Sequence, residues 1–323
     1  PRINYDANGE NGALLLEPQR VNALQFSEYF DASYYNKAGV SSDFGYVAPD
    51  GTNSAYKIIN SGSGSFYASG VINSNHARSI WARTTSGTGT AQLCSYFGNT
   101  NNIFNITEEW QRFEISSVTT STGELNFYLV DFRGVGTLDE IIIWGAQAEP
   151  NASYVSSYIP NHGTTGGVTR AADSCSVTGA SDVIGQTEGT LFVEVAALAN
   201  DGTYRNIALS DGSLTNRILI QYTPNANQIN IVIIFSGGQY SLNHTVSNVT
   251  EFNKIAIKYK AGDNALWING FEVDTDTNTL LPSALNTLSF DNTIGDAFYS
   301  KTKALVVYKE ALSDSELATL TTL

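Results

Sequence analysis

The sequence contains no methionine and only two cysteines, Cys94 and Cys175, among its 323 residues. Because position 1 is proline rather than methionine, we expect this chain to be a fragment or a processed product with further sequence upstream. Two cysteines cannot build the disulfide framework of a small secreted domain, so an apolar core must hold a chain of this length together. We therefore expect two free, largely buried thiols.

Basic residues are also few, since 17 Lys and Arg against 31 Asp and Glu give a net charge of −14. This charge would repel phosphate backbones and anionic membrane surfaces, so nucleic acid is excluded as an expected partner. No stretch approaches the roughly 18 to 20 apolar residues that a membrane span requires, and the N-terminus lacks a basic-then-apolar signal pattern. The sequence therefore predicts no membrane insertion.

Helical periodicity is nearly absent, whereas short runs of alternating apolar and polar residues recur between turns rich in Gly, Asn, Ser and Thr. This pattern is typical of antiparallel β-sandwiches. Ser313 and Glu316 form a capping box that predicts one short helix near the C-terminus. The predicted strands are residues 55–60, 78–84, 91–97, 111–118, 125–131, 140–145, 189–197, 205–209, 217–222, 228–235, 254–259, 265–268 and 303–308.

The chain is too long for one ordinary sandwich of roughly 100 to 150 residues and suits two. From residue 151 to residue 187 it becomes polar and contains Pro160, Gly163, Gly166 and Gly167, which indicates a linker or an exchange of strands between domains. We predict an all-β fold of two antiparallel β-sandwich (jelly-roll) domains in tandem, residues 1–165 and 166–323.

Segments at both ends of the first half resemble those of bacteriophage tail and minor structural proteins. Residues 1–6 (PRINYD) and 12–22 (GALLLEPQRVN) are similar to the opening segment of such a module. Its closing segment is similar to residues 144–149 (WGAQAE), 157–160 (SYIP) and 168–173 (VTRAAD).

The sequence between these segments resembles the jelly-roll carbohydrate-binding modules, with residues 109–113 (EWQRF) as their Trp-led strand. The second half is similar to laminin-G or concanavalin A-like domains over residues 252–259 (FNKIAIKY), 266–270 (LWING) and 307–317 (VYKEALSDSEL). The resemblance implies an extracellular, virion-surface module of a tail fibre, head fibre or appendage. Its implied partners are a host or environmental polysaccharide, other virion proteins and further copies of itself.

Aromatic residues are abundant in this otherwise polar chain, with 17 Tyr, 15 Phe and 4 Trp. In the predicted strand 78–84, Ile80 and Ala82 belong to the buried face, which leaves Trp81 and Arg83 on the other face. We predict that Trp81 stacks on a sugar ring and that Arg83 lies beside it. The alternative is that another element covers this face and Trp81 belongs to the core.

Tyr34, Tyr35 and Tyr46 complete the predicted sugar-binding set, because they lie with Phe44 in a stretch containing Ser and Gly that we assign to a loop. The alternative is that they plug the end of the sandwich. Two further tryptophans, Trp110 and Trp267, stand within strand patterns beside apolar residues, so we assign both to the core.

A structural calcium ion is the cofactor that a jelly-roll module would carry, and its candidate ligands are Asp31, Asp139 and Glu140. Solvated surface acids are the competing interpretation. Dedicated zinc sites are excluded, because the three histidines are scattered and the cysteines are not at ligand spacing.

Catalysis is not expected. A concanavalin-like glycosidase would place acids alternately along one strand, whereas Asp139 and Glu140 are adjacent. No nucleophile elbow, phosphate-binding loop or Cys/His pattern is present. The sequence thus favours a non-enzymatic, lectin-like module for host attachment. It leaves open a purely structural or decoration protein of the virion, or a polysaccharide-degrading enzyme whose residues converge only in space.

Overall fold

The computed structural model describes residues 2–5, 9–71, 75–95, 102–118, 126–293 and 295–323. These residues form strands and one helix in this order: β1 (Arg2–Asn4), β2 (Ala13–Leu15), β3 (Arg20–Asn22), β4 (Tyr35–Tyr46), β5 (Ala55–Ala68), β6 (His76–Arg83), β7 (Gly89–Ser95), β8 (Ile103–Ile106), β9 (Gln111–Val118), β10 (Phe127–Asp131), β11 (Glu140–Pro150), β12 (Val168–Arg170), β13 (Ser176–Val177), β14 (Glu188–Ala197), β15 (Arg205–Ser210), β16 (Arg217–Tyr222), β17 (Gln228–Phe235), β18 (Gly238–Thr245), β19 (Asn253–Lys260), β20 (Asn264–Ile268), β21 (Phe271–Asp276), β22 (Thr287–Ser289), β23 (Ser300–Tyr308) and α1 (Asp314–Thr321).

Residues Gln19–Ala171 form one compact unit, here called the first sandwich. The first half of its long strand β5 pairs with β11, which continues the sheet through β6 to β9. The second half of β5 pairs with β10, which leads through β7 to β8. Strand β4 pairs with β5 along both halves. Buried side chains of both branches meet in one apolar core, so the unit is an antiparallel β-sandwich.

The β4–β5 pair changes register where glycines from the two strands meet. A Cβ atom on Gly64 would lie 2.1 Å from the carbonyl oxygen of Gly39, so only glycine allows the two backbones to approach this closely. The predicted strand 55–60 is too short, because β5 continues to Ala68 with a register shift in its pairing to β4.

A buried polar cluster connects β3, β11 and the segment that follows β11. Asn22 donates a hydrogen bond to the carbonyl oxygen of Ile159 at 2.7 Å and accepts one from the backbone N–H of Ala148 at 3.1 Å. Gln147 accepts a hydrogen bond from the N–H of Ile159 at 2.6 Å, and Glu149 accepts one from the N–H of Ser156 at 2.8 Å. The end of the opening segment, at Asn22, therefore lies beside residues 147–149 and Ile159 of the closing segment.

The second sandwich consists of residues up to Pro18 together with Ala172–Leu323. One sheet has the order β1-β2-β23-β14-β19-β20-β21, and the other has the order β13-β22-β15-β16-β17-β18. Strict alternation in β17 buries Ile229, Ile231 and Ile233 in the core between the sheets. Helix α1 packs Leu317 against Trp267 and Phe192 in a smaller cluster. The backbone N–H of Ser313 donates to the Glu316 carboxylate at 2.8 Å, which agrees with the predicted helix start.

The structure divides the chain differently from the predicted boundary between residues 165 and 166. The opening segment, expected in the first sandwich, pairs β2 with β23 and buries Leu16 in the core of the second sandwich. Residues 151–187 are not a free linker, since Tyr154 and Ile159 are buried in the first sandwich and Ile184 in the second. The physical reason is that apolar side chains within these polar stretches supply core contacts.

Most predicted strands coincide with observed ones, and β16 and β17 match their predicted bounds. Residues 96, 97 and 125, which were assigned to strands, lie outside the described residues. Cys94 is buried and Cys175 half-buried, and the structure pairs neither thiol in a disulfide. Within the described parts of the chain, no helix is long and apolar enough to cross a membrane.

Candidate functional site

Strand β6 places Trp81 and Arg83 on the sheet face that lies away from the core of the first sandwich. Ile80 and Ala82 are fully buried in that core, as the alternation predicted. On the opposite face Trp81 stands beside Trp144, its pairing partner on β11. This face carries a second, smaller apolar cluster, in which Trp81 is partly buried.

A wall of this face is built by Trp110, which immediately precedes β9, and by the turn between β4 and β5. The indole Nε1 of Trp110 donates a hydrogen bond to the carbonyl oxygen of Val47 at 3.1 Å. The turn itself is closed by the N–H of Ala48, which donates to the carbonyl oxygen of Thr52 at 2.7 Å. Thr52 also donates to the Asp50 carboxylate, and these hydrogen bonds hold the pKa of Asp50 below its usual value. The ring of Trp110 is thus fixed in orientation.

Together these elements enclose an open groove of about 570 Å³, here called the Trp81–Trp110 groove. The guanidinium of Arg83 lies 5.4 Å from the centroid of the Trp110 ring, within the range of cation–π attraction. Glu108 accepts a hydrogen bond from the N–H of Gly87 at 2.6 Å. The groove is lined by Val47, Ala48, Pro49, Gly51, Trp81, Arg83, Glu108, Glu109 and Trp110.

The cluster beneath the groove holds its aromatic side chains by polar contacts at their edges. Trp144 donates to the hydroxyl of Ser54 at 2.9 Å, and Tyr158 donates to the Glu28 carboxylate at 2.8 Å. Burial and the nearby Glu28 carboxylate raise the pKa of Tyr158 well above its usual value, so its hydroxyl stays protonated and can donate. A preformed, rigid aromatic surface results.

Of the three predicted tyrosines, only Tyr46 lies in the same apolar cluster as Trp81. The assignment of Tyr35 to a sugar-binding loop is wrong, because it begins strand β4, is only 6 % exposed and packs in the main core. Tyr34 packs partly against that core, 5.2 Å from the Tyr35 ring. Phe44 is exposed, on β4 rather than in a loop.

The predicted calcium ligands do not form one site. Asp31 accepts hydrogen bonds from Lys37 and Ser42, which outweigh the effect of burial and lower the pKa of its carboxyl. Glu140 accepts from Thr85 at 2.6 Å and pairs with Lys57 at 3.3 Å. Asp139 is exposed and accepts from Asn60. Among the residues that the structure describes, no group of three or more His, Cys, Asp or Glu side chains could hold a metal ion.

Trp110 is the site residue that sequence reading assigned wrongly to the core. It is only partly buried and lines the groove, whereas Trp267, assigned in the same way, is buried. A signal was present in the sequence, because Trp110 is flanked by the charged Glu108, Glu109 and Arg112 and the polar Gln111, a neighbourhood that is rare around a core residue.

No protein-family model matches the chain, and no curated protein matches it. Similar solved structures include the CBM40 module of a Ruminococcus gnavus sialidase bound to α2,3-sialyllactose, with 14% identity, a TM-score of 0.37, and coverage of 46% of this chain and 96% of that one. A leech trans-sialidase has 18% identity and a TM-score of 0.37, with coverage of 46% of this chain and 27% of its own. Domain 4 of a Geobacillus stearothermophilus arabinanase, in complex with arabinotriose, has 14% identity and a TM-score of 0.37, with coverage of 46% and 76%. The match therefore spans nearly all of the isolated module but about a quarter of the whole trans-sialidase.

Proposed function

We propose that this chain is a non-catalytic glycan-binding module and that the Trp81–Trp110 groove of the first sandwich holds the glycan. The observation that carries the proposal is that two indole rings from separate elements line one open groove of about 570 Å³. This volume lies within the roughly 300 to 1,000 Å³ of small-ligand sites. The groove is therefore large enough for one or two sugar units.

The chemistry of the lining suits a sugar. Flat indole rings offer apolar surface to the C–H face of a pyranose. The Arg83 guanidinium carries donors and the Glu109 carboxylate carries acceptors that can bind hydroxyl groups at the rim. Because Trp110 is held by its hydrogen bond to Val47, its ring loses little conformational entropy on binding.

The charge of the groove favours a neutral glycan. One guanidinium, that of Arg83, stands against the two carboxylates of Glu108 and Glu109, so the lining has a net charge of −1. Like charges repel an anionic ligand, and stacking contacts require no ion pair. We therefore expect affinity for neutral hexose or pentose oligosaccharides, with little dependence on salt.

A glycan array on the intact chain, followed by calorimetric titration of the best neutral ligand, tests the proposal. Trp81→Ala and Trp110→Ala should each weaken binding by about 1 to 3 kcal/mol, the range of central anchors at interfaces. The matched control is Tyr29→Ala, because Tyr29 is an exposed aromatic residue of the same sandwich that does not line the groove. It should bind as the unchanged chain does.

The competing interpretation is that the sandwiches only pack within a larger assembly. In that case Trp81→Ala would fold normally and leave glycan binding unchanged, or no neutral glycan on the array would bind the chain. Light scattering over a range of concentrations distinguishes the two, since a packing role predicts that the variant dissociates an oligomer. Unchanged glycan binding by the folded Trp81→Ala variant, or the absence of any neutral glycan that binds, would contradict the glycan-binding role of the groove.

The setting that we propose is the extracellular surface of a phage-type virion, as part of a fibre or appendage used in host attachment. Its support is the laminin-G-like resemblance of the second half together with the resemblance of residues 1–6, 12–22, 144–149, 157–160 and 168–173. Immunogold labelling of purified particles with an antibody against this chain tests it. Label should lie on an external appendage, and particles without surface label would rule the setting out.

A further inference from the structure

The second sandwich has a pocket of its own, with a volume of about 380 Å³ and a lining unlike that of the groove. It forms where the opening segment adds strands β1 and β2 to the edge of β23. Two lysines, two aromatic rings and two amide side chains face the same space. The lining residues are Asn4, Tyr5, Asn11, Ala13, Phe252, Lys301 and Lys303.

Strand β23 brings the two lysines to this pocket. Lys301 pairs with Leu15 on one side and with Ala196 on the other, in the regular ladder. Lys303 is the extra residue of a bulge, since the pairing shifts between Thr302 and Ala304. A bulge turns the side chain of its extra residue out of the regular alternation, which here directs Lys303 toward the ring of Phe252.

The two ammonium groups differ in their partners. The Lys303 Nζ lies 4.0 Å from the centroid of the Phe252 ring and 3.6 Å from the Glu194 carboxylate. The ammonium group of Lys301 forms no hydrogen bond or ion pair with the residues that the structure describes. By contrast, Lys258 pairs with two carboxylates, at 2.8 and 3.1 Å. Among the described residues, Lys301 therefore has no carboxylate partner for its positive charge at the wall of the pocket.

An exposed ring stands beside this charge. Tyr5 is 58% exposed, so most of its side chain is accessible to a ligand. The side chains of Asn4 and Asn11 bring amide groups to the same pocket. A positive charge, a flat apolar ring and amides are the groups that recognise a ring bearing one anionic substituent and several hydroxyls.

We propose that this pocket binds an anionic sugar unit, one that carries a carboxylate or a sulfate, with Lys301 holding the anion and Tyr5 covering the ring. The chain has a net charge of −14, so its surface as a whole repels anions, and the ammonium group of Lys301 opposes that repulsion locally. The volume of about 380 Å³ is near the lower end of small-ligand sites, which suits a single unit at the end of a glycan. This site is independent of the Trp81–Trp110 groove and has a different ligand class.

Calorimetric titration of the intact chain with a galacturonate trisaccharide tests the proposal, with the methyl ester of the same trisaccharide as the neutral comparison. The free acid should bind at least about tenfold more tightly than the ester, as expected for one charge-assisted hydrogen bond. Lys301→Ala should remove this preference, and Lys301→Arg should keep most of it. The matched control is Lys309→Ala, because Lys309 is an exposed lysine of the same sandwich outside the pocket.

Two further measurements test whether the anion is a carboxylate or a sulfate and whether the sugar ring contributes to binding. If a sulfated galactose competes with the galacturonate trisaccharide, the pocket binds both sulfate and carboxylate. If it does not compete, the pocket binds carboxylates only. Inorganic sulfate that binds as tightly as the uronide would overturn the proposal, because the sugar ring would then contribute nothing. Equal affinity for acid and ester, or a Lys301→Ala variant that keeps the preference, would also overturn it. Trp81→Ala should leave uronide binding intact, so failure of this site and failure of the groove are distinguishable.

Discussion

Asn22 should be among the most sensitive polar residues of the first sandwich, because it is fully buried at the centre of a hydrogen-bonded cluster. Its Nδ2 donates to the carbonyl oxygen of Ile159 at 2.7 Å and to the Ser27 hydroxyl at 2.9 Å. Its Oδ1 accepts from the backbone N–H groups of Leu24 and Ala148, both at 3.1 Å. One side chain therefore connects the end of β3 to β11 and to the segment that follows it.

Asn22→Ala removes the partner of two buried N–H groups and one buried carbonyl oxygen. Each unsatisfied buried group costs about 1 to 3 kcal/mol, and a water molecule that enters the space left by the side chain would lower that cost. We expect the free energy of unfolding to fall by about 3 to 6 kcal/mol, a large part of the roughly 5 to 15 kcal/mol of an ordinary domain.

Urea denaturation followed by tryptophan fluorescence measures this loss. Three of the four tryptophans, Trp81, Trp110 and Trp144, lie in the first sandwich, so the signal reports mainly on that unit. The control is Asn36→Ala, an exposed asparagine of the same sandwich that donates to the Ser69 hydroxyl. It should change stability by no more than about 0.5 kcal/mol. If the free energy of unfolding of Asn22→Ala lies within about 0.5 kcal/mol of that of the unchanged chain, Asn22 does not satisfy the buried polar groups around it, and the reasoning fails.

Two further predictions concern the cores of the two sandwiches. Leu16→Ala should destabilise the second sandwich by about 2 to 5 kcal/mol, because Leu16 is buried in its core. Hydrogen exchange should rise there and not in the first sandwich, and the exposed Leu214→Ala is the control. Burial raises the pKa of the Cys94 thiol, so at about pH 8 it stays protonated and unreactive, whereas the half-buried Cys175 reacts with Ellman's reagent. Ellman's reagent should react with one thiol in the folded chain and with two in guanidinium. Two fast-reacting thiols before unfolding would contradict the burial of Cys94.

The fold class could be predicted because short apolar runs recur between turn residues, some of them alternating as in β17 and others buried on both faces as in β15. Strand β17 alternates so regularly that its bounds were predicted without error. Strand β4 was missed for the opposite reason, since nearly all of its side chains after Tyr35 are exposed or half-buried. An edge strand of this kind has no apolar alternation, and its pairing with β5 is set by backbone hydrogen bonds that the sequence does not display.

The domain boundary could not be predicted because it depends on a long-range pairing. Residues 13–16 (ALLL) are recognisable as a buried run, but the run fits the core of either sandwich equally well. The pairing of β2 with β23, near the opposite end of the chain, decides that Leu16 belongs to the second sandwich. Local patterns indicate that a residue is buried, and tertiary pairing decides where.

Local sequence patterns reveal only part of each of the two candidate sites. The alternation of Ile80, Trp81 and Ala82 is enough to place Trp81 on the outer face of β6, and that prediction agrees with the structure. Whether this face is open depends on the position of Trp110, which is fixed by a hydrogen bond to Val47 in a distant turn. Among the described residues, the strands that pair with β23 bring no carboxylate to the Lys301 ammonium group, and the sequence alone does not show which strands those are. A site built from several elements therefore needs the fold before its residues can be named, even when one of its members is evident from the sequence.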